Sequence, residues 1–306
     1  MSRVLLDDDN KIEFSISEVS RRSNPYPNIT ATLLGRKITF MTIASILDEI
    51  KTTCQEDRKL LIASCNIHSF NLSLHLPWFY DYMSSADIVR CDGVGILKTI
   101  QRLGLELPLQ YQASGTRLVP ELIAISELNH LSFFLLGSKP KNLECALNRL
   151  RLIYPGIEVD GHHGYFDKDD PAECDDIVSK INKAAPNILI VGMGMPIQED
   201  WVYRHRERLN VNVILPCGAV IDRLAGMVND CPEFISALGL EWLYRLIKEP
   251  KRLAGRYLLG NPAFAFQLAL ANTYSSPLKI EQSLQSSNGN QQRPYQVAQD
   301  MKNSIS

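Results

Sequence analysis

Six short apolar runs punctuate the chain: residues 60–64, 86–91, 131–136, 156–160, 187–191 and 211–215. Each has the length of a strand, is rich in β-branched residues or continuously apolar, and is followed by a polar or glycine-containing turn. Helix-length stretches lie between them. From Leu143 to Ile153, apolar residues fall at 143, 146, 147, 150 and 153, which places them on one helical face; Gln198 to Leu209 is a second such stretch. Strand, turn and helix in repetition predict an α/β fold, a Rossmann-like, mainly parallel sheet flanked by helices. Ligands of such sheets sit beyond the carboxyl ends of the strands, so the turns there are where chemistry is expected.

The pattern fades at both ends. Residues 1–30 are polar and read as an arm or edge element, and 276–306, rich in Ser, Gln and Asn, read as a disordered tail. Between them the α/β domain spans 31–240, and a C-terminal appendage spans 241–275. Of 306 residues, 32 are Lys or Arg and 34 Asp or Glu, a formal net charge of −2. That balance argues against a nucleic-acid partner. No apolar run reaches the roughly 18 residues of a spanning helix, and aspartates at 7–9 interrupt the first apolar stretch, so no secretory signal is expected. Seven scattered cysteines without a C-x-x-C pair read as reduced thiols of a cytoplasmic protein. The average hides an asymmetry: residues 1–20 hold five acids against two bases, whereas 241–256 hold five bases against two acids, together with Trp242 and Tyr244.

Three turns share a design: Leu136-Gly137-Ser138-Lys139-Pro140, Val191-Gly192-Met193-Gly194-Met195-Pro196 and Leu215-Pro216-Cys217-Gly218-Ala219. Glycine lets backbone approach a ligand, and the amides of a following helix favour phosphate. Taken singly, each also fits a plain tight connection; three in one sheet favour a diphosphate site. The middle turn is not a dinucleotide fingerprint, because Ile197 occupies the place of its third glycine. Asp92, at the end of a predicted strand and before Gly93 and Gly95, is placed either to accept a proton from a substrate hydroxyl or to cap the next helix. Adjacent His162 and His163 point to opposite faces of a strand, and no metal-ligating quartet is present, so no metal and no cofactor are expected. Glu199 reads as a polar first-turn residue that complements a helix dipole, and Asp222 as either a site residue or a surface partner of Arg223.

In order, these pieces resemble the WecG/TagA/CpsF glycosyltransferases, glycosyltransferase family 26. The resemblance runs from about Leu33 to Leu259 and is carried by Cys65-Asn66, by residues 91–95, 134–137, 161–166, 191–201 and 222–226, and above all by 238–253. It implies a metal-independent, inverting transfer of a sugar from a UDP-sugar, typically N-acetylmannosamine or its uronic acid, to a saccharide on a polyprenyl diphosphate in cell-surface polysaccharide synthesis. By position, Asp92 matches the general base, and Asn66 and Ser64 match groups near the sugar. Tyr165, Gln198 and Asp222 match the nucleotide set, with Gly192, Gly194 and Gly218 giving the nucleotide access to backbone. One departure stands out: the arginine usual before a Gly-x-Asp-Leu element is glutamine or absent in Gln110-Tyr111-Gln112, and the expected aspartate is Arg117. Arg117 is therefore a candidate replacement for the lost positive charge, and the sugar could be another hexose.

In the basic segment, Arg245, Arg252 and Arg256 share one helical face, with Pro250 as a break. Basic and aromatic residues together suit an anionic membrane surface. The resemblance implies that this appendage meets the membrane and lends arginines to the active site. The expectation is a cytoplasmic enzyme peripheral to the inner face of the plasma membrane, with a homo-oligomer left open. The rivals are a nicotinamide-dependent oxidoreductase, disfavoured by the incomplete glycine motif, and a non-catalytic membrane scaffold of the same fold.

Overall fold

The computed structural model describes residues 3–7, 10–14, 26–228, 231, 235, 241–274 and 278–281. Its body is a nine-stranded sheet. Outside it, β1 (Arg3–Asp7) and β2 (Asn10–Phe14) pair as an antiparallel hairpin. The sheet begins with a second hairpin, β3 (Ile29–Leu33) and β4 (Arg36–Phe40). Leu34 and Gly35 connect them, both with positive φ, as a two-residue turn of this handedness requires. Then follow α1 (Ile43–Gln55), β5 (Leu60–Cys65), α2 (Ile67–His75), α3 (Pro77–Ser84), β6 (Ile88–Cys91), α4 (Val94–Arg102) and α5 (Gly115–Asn129). The second half holds β7 (Phe133–Gly137), α6 (Pro140–Ile153), β8 (Val159–His162), α7 (Pro171–Ala184), β9 (Ile188–Gly192), α8 (Ile197–His205), β10 (Val213–Pro216) and the short α9 (Val220–Leu224). The six predicted strands are therefore present as β5 to β10, each shifted by a few residues at most.

Strands lie in the order β4-β6-β5-β10-β9-β7-β8, all parallel, with β3 antiparallel beside β4. The central strands are buried along their whole length, which explains their unbroken apolar sequence. Successive residues feed opposite faces. Leu61, Ala63, Leu136 and Val191 pack with Phe70, Phe79, Ile177 and Trp201 of α2, α3, α7 and α8. Leu60, Ile62, Leu135 and Ile190 pack with Ile46, Leu122, Ala146 and Ile221 of α1, α5, α6 and α9. The result is a three-layer sandwich with every parallel strand ending on the same rim.

The appendage comprises α10 (Glu241–Lys248), α11 (Pro250–Ala254), a π-helical turn (Gly255–Leu259) and α12 (Gly260–Tyr274). Pro250 is the first residue of α11, so the predicted break falls where its missing N–H costs nothing. Leu253 and Phe264 anchor this segment: both are buried, and Phe264 meets Phe70 edge-on at 5.1 Å. Beyond it, β11 (Leu278–Glu281) pairs antiparallel with β3. This corrects the expectation of disorder for those four residues; Leu, Lys, Ile and Glu alternate as an edge strand should, inside a Ser- and Gln-rich surrounding that masks the signal. The remainder of 276–306 lies outside the described residues.

Candidate active site

The carboxyl ends of β5, β6, β7, β9 and β10 open into one cavity of about 900 Å³. The three glycine turns stack side by side along its floor. A Cβ on Gly137, whose φ is +148°, would lie 2.3 Å from the Gly192 carbonyl oxygen, and one on Gly192 would lie 2.8 Å from that of Gly218. Gly137 and Gly192 are therefore glycine because turn packs on turn. Gly194 (φ +86°) and Gly218 (φ +59°) have nothing near their Cβ positions and line the cavity, so only their backbone conformation demands glycine. Each turn opens a helix as predicted, but Pro140 alone sits at a first helical position. Pro196 precedes α8 after a cis peptide, and Pro216 ends β10.

Gln198 joins two of the turns: its Oε1 accepts from the amides of Gly194 at 3.1 Å and Gly218 at 3.0 Å. Its Nε2 donates to Glu199 Oε1 at 2.8 Å. Gln198 is almost wholly buried, so it shapes the backbone of the nucleotide candidates and leaves Tyr165, which is exposed, to reach outward from the same wall. Glu199 is buried as well, not a solvated first-turn residue; burial pushes its carboxyl up to about 7, with the Gln198 bond pulling the other way. Asp222 faces the cavity rather than Arg223. Its Oδ1 accepts from the Ser138 hydroxyl and from Asn142 Nδ2 at 2.8 Å, tying α9 to the β7 turn.

Asp92 follows β6 directly and is held by three donors. Oδ1 accepts from Arg90 Nη1 at 2.6 Å and the Gly115 amide at 3.0 Å, and Oδ2 accepts from Asn66 Nδ2 at 3.2 Å. A quarter of its side-chain surface stays open to the cavity. Burial favours the neutral acid, but the Arg90 charge and these hydrogen bonds outweigh it and hold the carboxyl below its ordinary pKa. Asn66 caps α2 through Oδ1, which accepts from the amides of His68 and Ser69, and its own backbone amide donates to Ser69 Oγ, closing a capping box. The same Oδ1 takes Arg256 Nη2 at 3.2 Å, so the appendage reaches the rim beside Asp92. Ser64 lines the cavity one strand away. His68 does too; burial and the Arg256 charge pull it down to about 4, which keeps the ring neutral.

Most of the candidates thus converge on one cavity, and Arg117 does not. It lies on the exposed face of α5, because Gly115 turns its amide to Asp92 and the helix carries position 117 around to solvent. The positive charge is supplied instead by buried Arg90, by Arg256 and by Lys98, Lys139 and Lys168 on the walls. Sequence reasoning passed over Arg90, although a charge inside an apolar strand, in Ile88-Val89-Arg90-Cys91, signals a partner nearby. The side chains of Arg245 and Arg252, in α10 and α11, lie outside the described residues. Among the described residues, no group of three His, Cys, Asp or Glu is arranged to hold a metal ion.

The family model described as "Glycosyl transferase WecG/TagA/CpsF family" matches residues 31–276. Two relatives, both named N-acetylglucosaminyldiphosphoundecaprenol N-acetyl-beta-D-mannosaminyltransferase, come from Staphylococcus aureus strains MW2 and NCTC 8325 / PS 47. Each is 30% identical to this chain over 255 residues, covering 83% of the chain and 96% of the relative. The glycine turns, the Asp92 cluster and the appendage all fall within the matched span, and the chain belongs to the WecG/TagA/CpsF family of glycosyl transferases.

Proposed function

We propose that this glycosyltransferase moves a sugar from a UDP-sugar, with inversion and without a metal, to a saccharide carried on a polyprenyl diphosphate at a membrane surface. The named relatives transfer N-acetylmannosamine to N-acetylglucosaminyl-diphosphoundecaprenol, which makes that pair the first donor and acceptor to try. The missing arginine at Gln110 and Gln112 keeps another hexose as the second. The acceptor hydroxyl attacks the anomeric carbon as Asp92 takes its proton; the bond to UDP breaks on the opposite face, and the diphosphate leaves with the electron pair. The charge that develops on the diphosphate is met by lysines 98, 139 and 168 and by Arg256, a positive wall that can do the work of a cation.

The observation that carries this reading is Asp92: a partly open carboxylate, held ionised by three donors in a cavity whose floor is the stacked glycine turns. Asp92→Asn should lower transfer by about 100-fold or more while UDP binding by calorimetry stays within a few-fold of wild type. Transfer near the wild-type rate would remove Asp92 as the base. Binding of NAD in place of UDP would favour the oxidoreductase instead.

A further inference from the structure

Arg90 is the third residue of a four-residue strand and is 2% exposed. A guanidinium in a sheet interior costs several kcal/mol unless it is paired and hydrogen-bonded, so its bonds define its purpose. Nη1 donates to Asp92 Oδ1 at 2.6 Å and to the Ala113 carbonyl at 2.5 Å, and Nη2 lies 3.9 Å from Cys217 Sγ. One planar group thereby joins β6, the segment entering α5 and the turn after β10. The fit is close: a Cβ on Gly115 would sit 3.2 Å from both Arg90 Nη2 and Cys217 Sγ.

The two oxygens of Asp92 are consequently unequal. Oδ1 has two donors, Arg90 and the Gly115 amide, and so both its lone pairs are engaged; Oδ2 has Asn66 alone. We propose that Arg90 is a positioning residue: its guanidinium clamps Oδ1 and so leaves Oδ2 as the oxygen that takes the proton from the acceptor hydroxyl. This rests on the reading of Asp92 as the base. Among the described residues, the other titratable groups facing the carboxylate are Cys65 from β5, Cys91 from β6, Cys217 and Glu199, and Arg256 reaches it through Asn66. Burial pushes the Cys91 and Cys217 thiols up to about 12, so they stay neutral and Arg90 is the charge in direct contact.

The test compares the full-length wild type with Arg90→Gln and Arg90→Lys. Two quantities are followed with pH: transfer from UDP-sugar to a short-chain polyprenyl-diphosphate acceptor, and the Asp92 carboxyl resonance in ¹³C NMR, assigned by its loss in Asp92→Asn. Arg90→Gln should lower kcat by about 100-fold with donor KM within about 3-fold, and should move both the acid limb and the Asp92 titration upward. Arg90→Lys, which keeps the charge but not the fork, should hold the titration near wild type and recover only part of the rate. An unmoved titration in Arg90→Gln overturns the clamp, even if the variant is slower or less stable. If the Gln variant does not fold, Arg90→Lys decides: wild-type kcat there refutes positioning by the fork. A wild type that transfers no sugar would sink the functional reading alone, because the Asp92 titration still reports on the clamp.

Discussion

Glu199 shows how a single side chain can be misread from its neighbours. One residue beyond Gln198 at a helix start, it has the sequence of a solvated dipole partner, yet tertiary packing buries it and leaves Oε2 without a hydrogen bond among the described residues. Its pKa of about 7 has a consequence for stability. An unfolded glutamate titrates near ~4.3, so folding favours the protonated form. The stability it contributes is complete below that value and is lost as pH rises through about 7, by roughly 3 kcal/mol in all. Glu199→Gln keeps the shape and the bond to Gln198 but cannot ionise. Chemical denaturation from pH 5 to 8 should show the variant gaining on wild type by about that amount; parallel curves would mean that Glu199 titrates normally. Arg117 was misread for the converse reason. It stands where a charge was missing, but two helical steps, about 200° of rotation, separate it from Gly115, and linear proximity does not survive that rotation.

At the scale of elements, the turns carry the clearest contrast. Gly137 and Gly218 look alike in sequence, but a methyl group on the first would overlap the Gly192 carbonyl and on the second would meet only open cavity. Gly137→Ala should therefore cost about 3 kcal/mol or more in urea unfolding, as expected of overpacking added to backbone strain. Gly218→Ala should cost about 1–2 kcal/mol, the price of a left-handed residue, and leave the protein folded but weaker for UDP. Equal losses would show that the turns do not stack as described. Strands β5 to β10 were legible because buried parallel strands need unbroken apolar runs. Strands β3, β4 and β11 were not, because this antiparallel end of the sheet is only partly buried or short, and four or five residues without an unbroken apolar run resemble a loop. The pairing order that brings Asn66 beside Asp92, 26 residues on, is a property of the sheet and has no local signal.

At the scale of the molecule, the near-neutral sequence resolves into a body with one unlike face. No described helix is long and apolar enough to cross a membrane. The appendage nevertheless exposes Trp242, Leu243, Ile247, Leu258, Leu259 and Phe266, while Leu253 and Phe264 of the same segment anchor it to the core. That division fits the proposed membrane-docking role: one set of apolar residues attaches the segment to the protein, and another stays exposed. Trp242, whose ring meets that of Tyr257 at 5.8 Å and a 59° tilt on the cavity wall, places this face beside the cavity mouth, where the proposed lipid-linked acceptor would enter. Each apolar side chain transferred out of water contributes about 1.5–3 kcal/mol when fully buried, and each basic residue near an anionic surface about 1 kcal/mol. Ile247→Asp combined with Leu259→Asp, neither of which lines the cavity, should thus reduce co-sedimentation with phosphatidylglycerol vesicles by at least about 10-fold. Transfer to a short-chain, water-soluble acceptor should stay near wild type in the same variant, and transfer to a full-length polyprenyl acceptor in vesicles should fall. High salt should weaken wild-type binding without abolishing it, because screening removes the charge attraction and leaves the apolar one. If the double variant binds vesicles as well as wild type, the acceptor must be drawn from the membrane by some other face, and the apolar residues of the appendage need another partner.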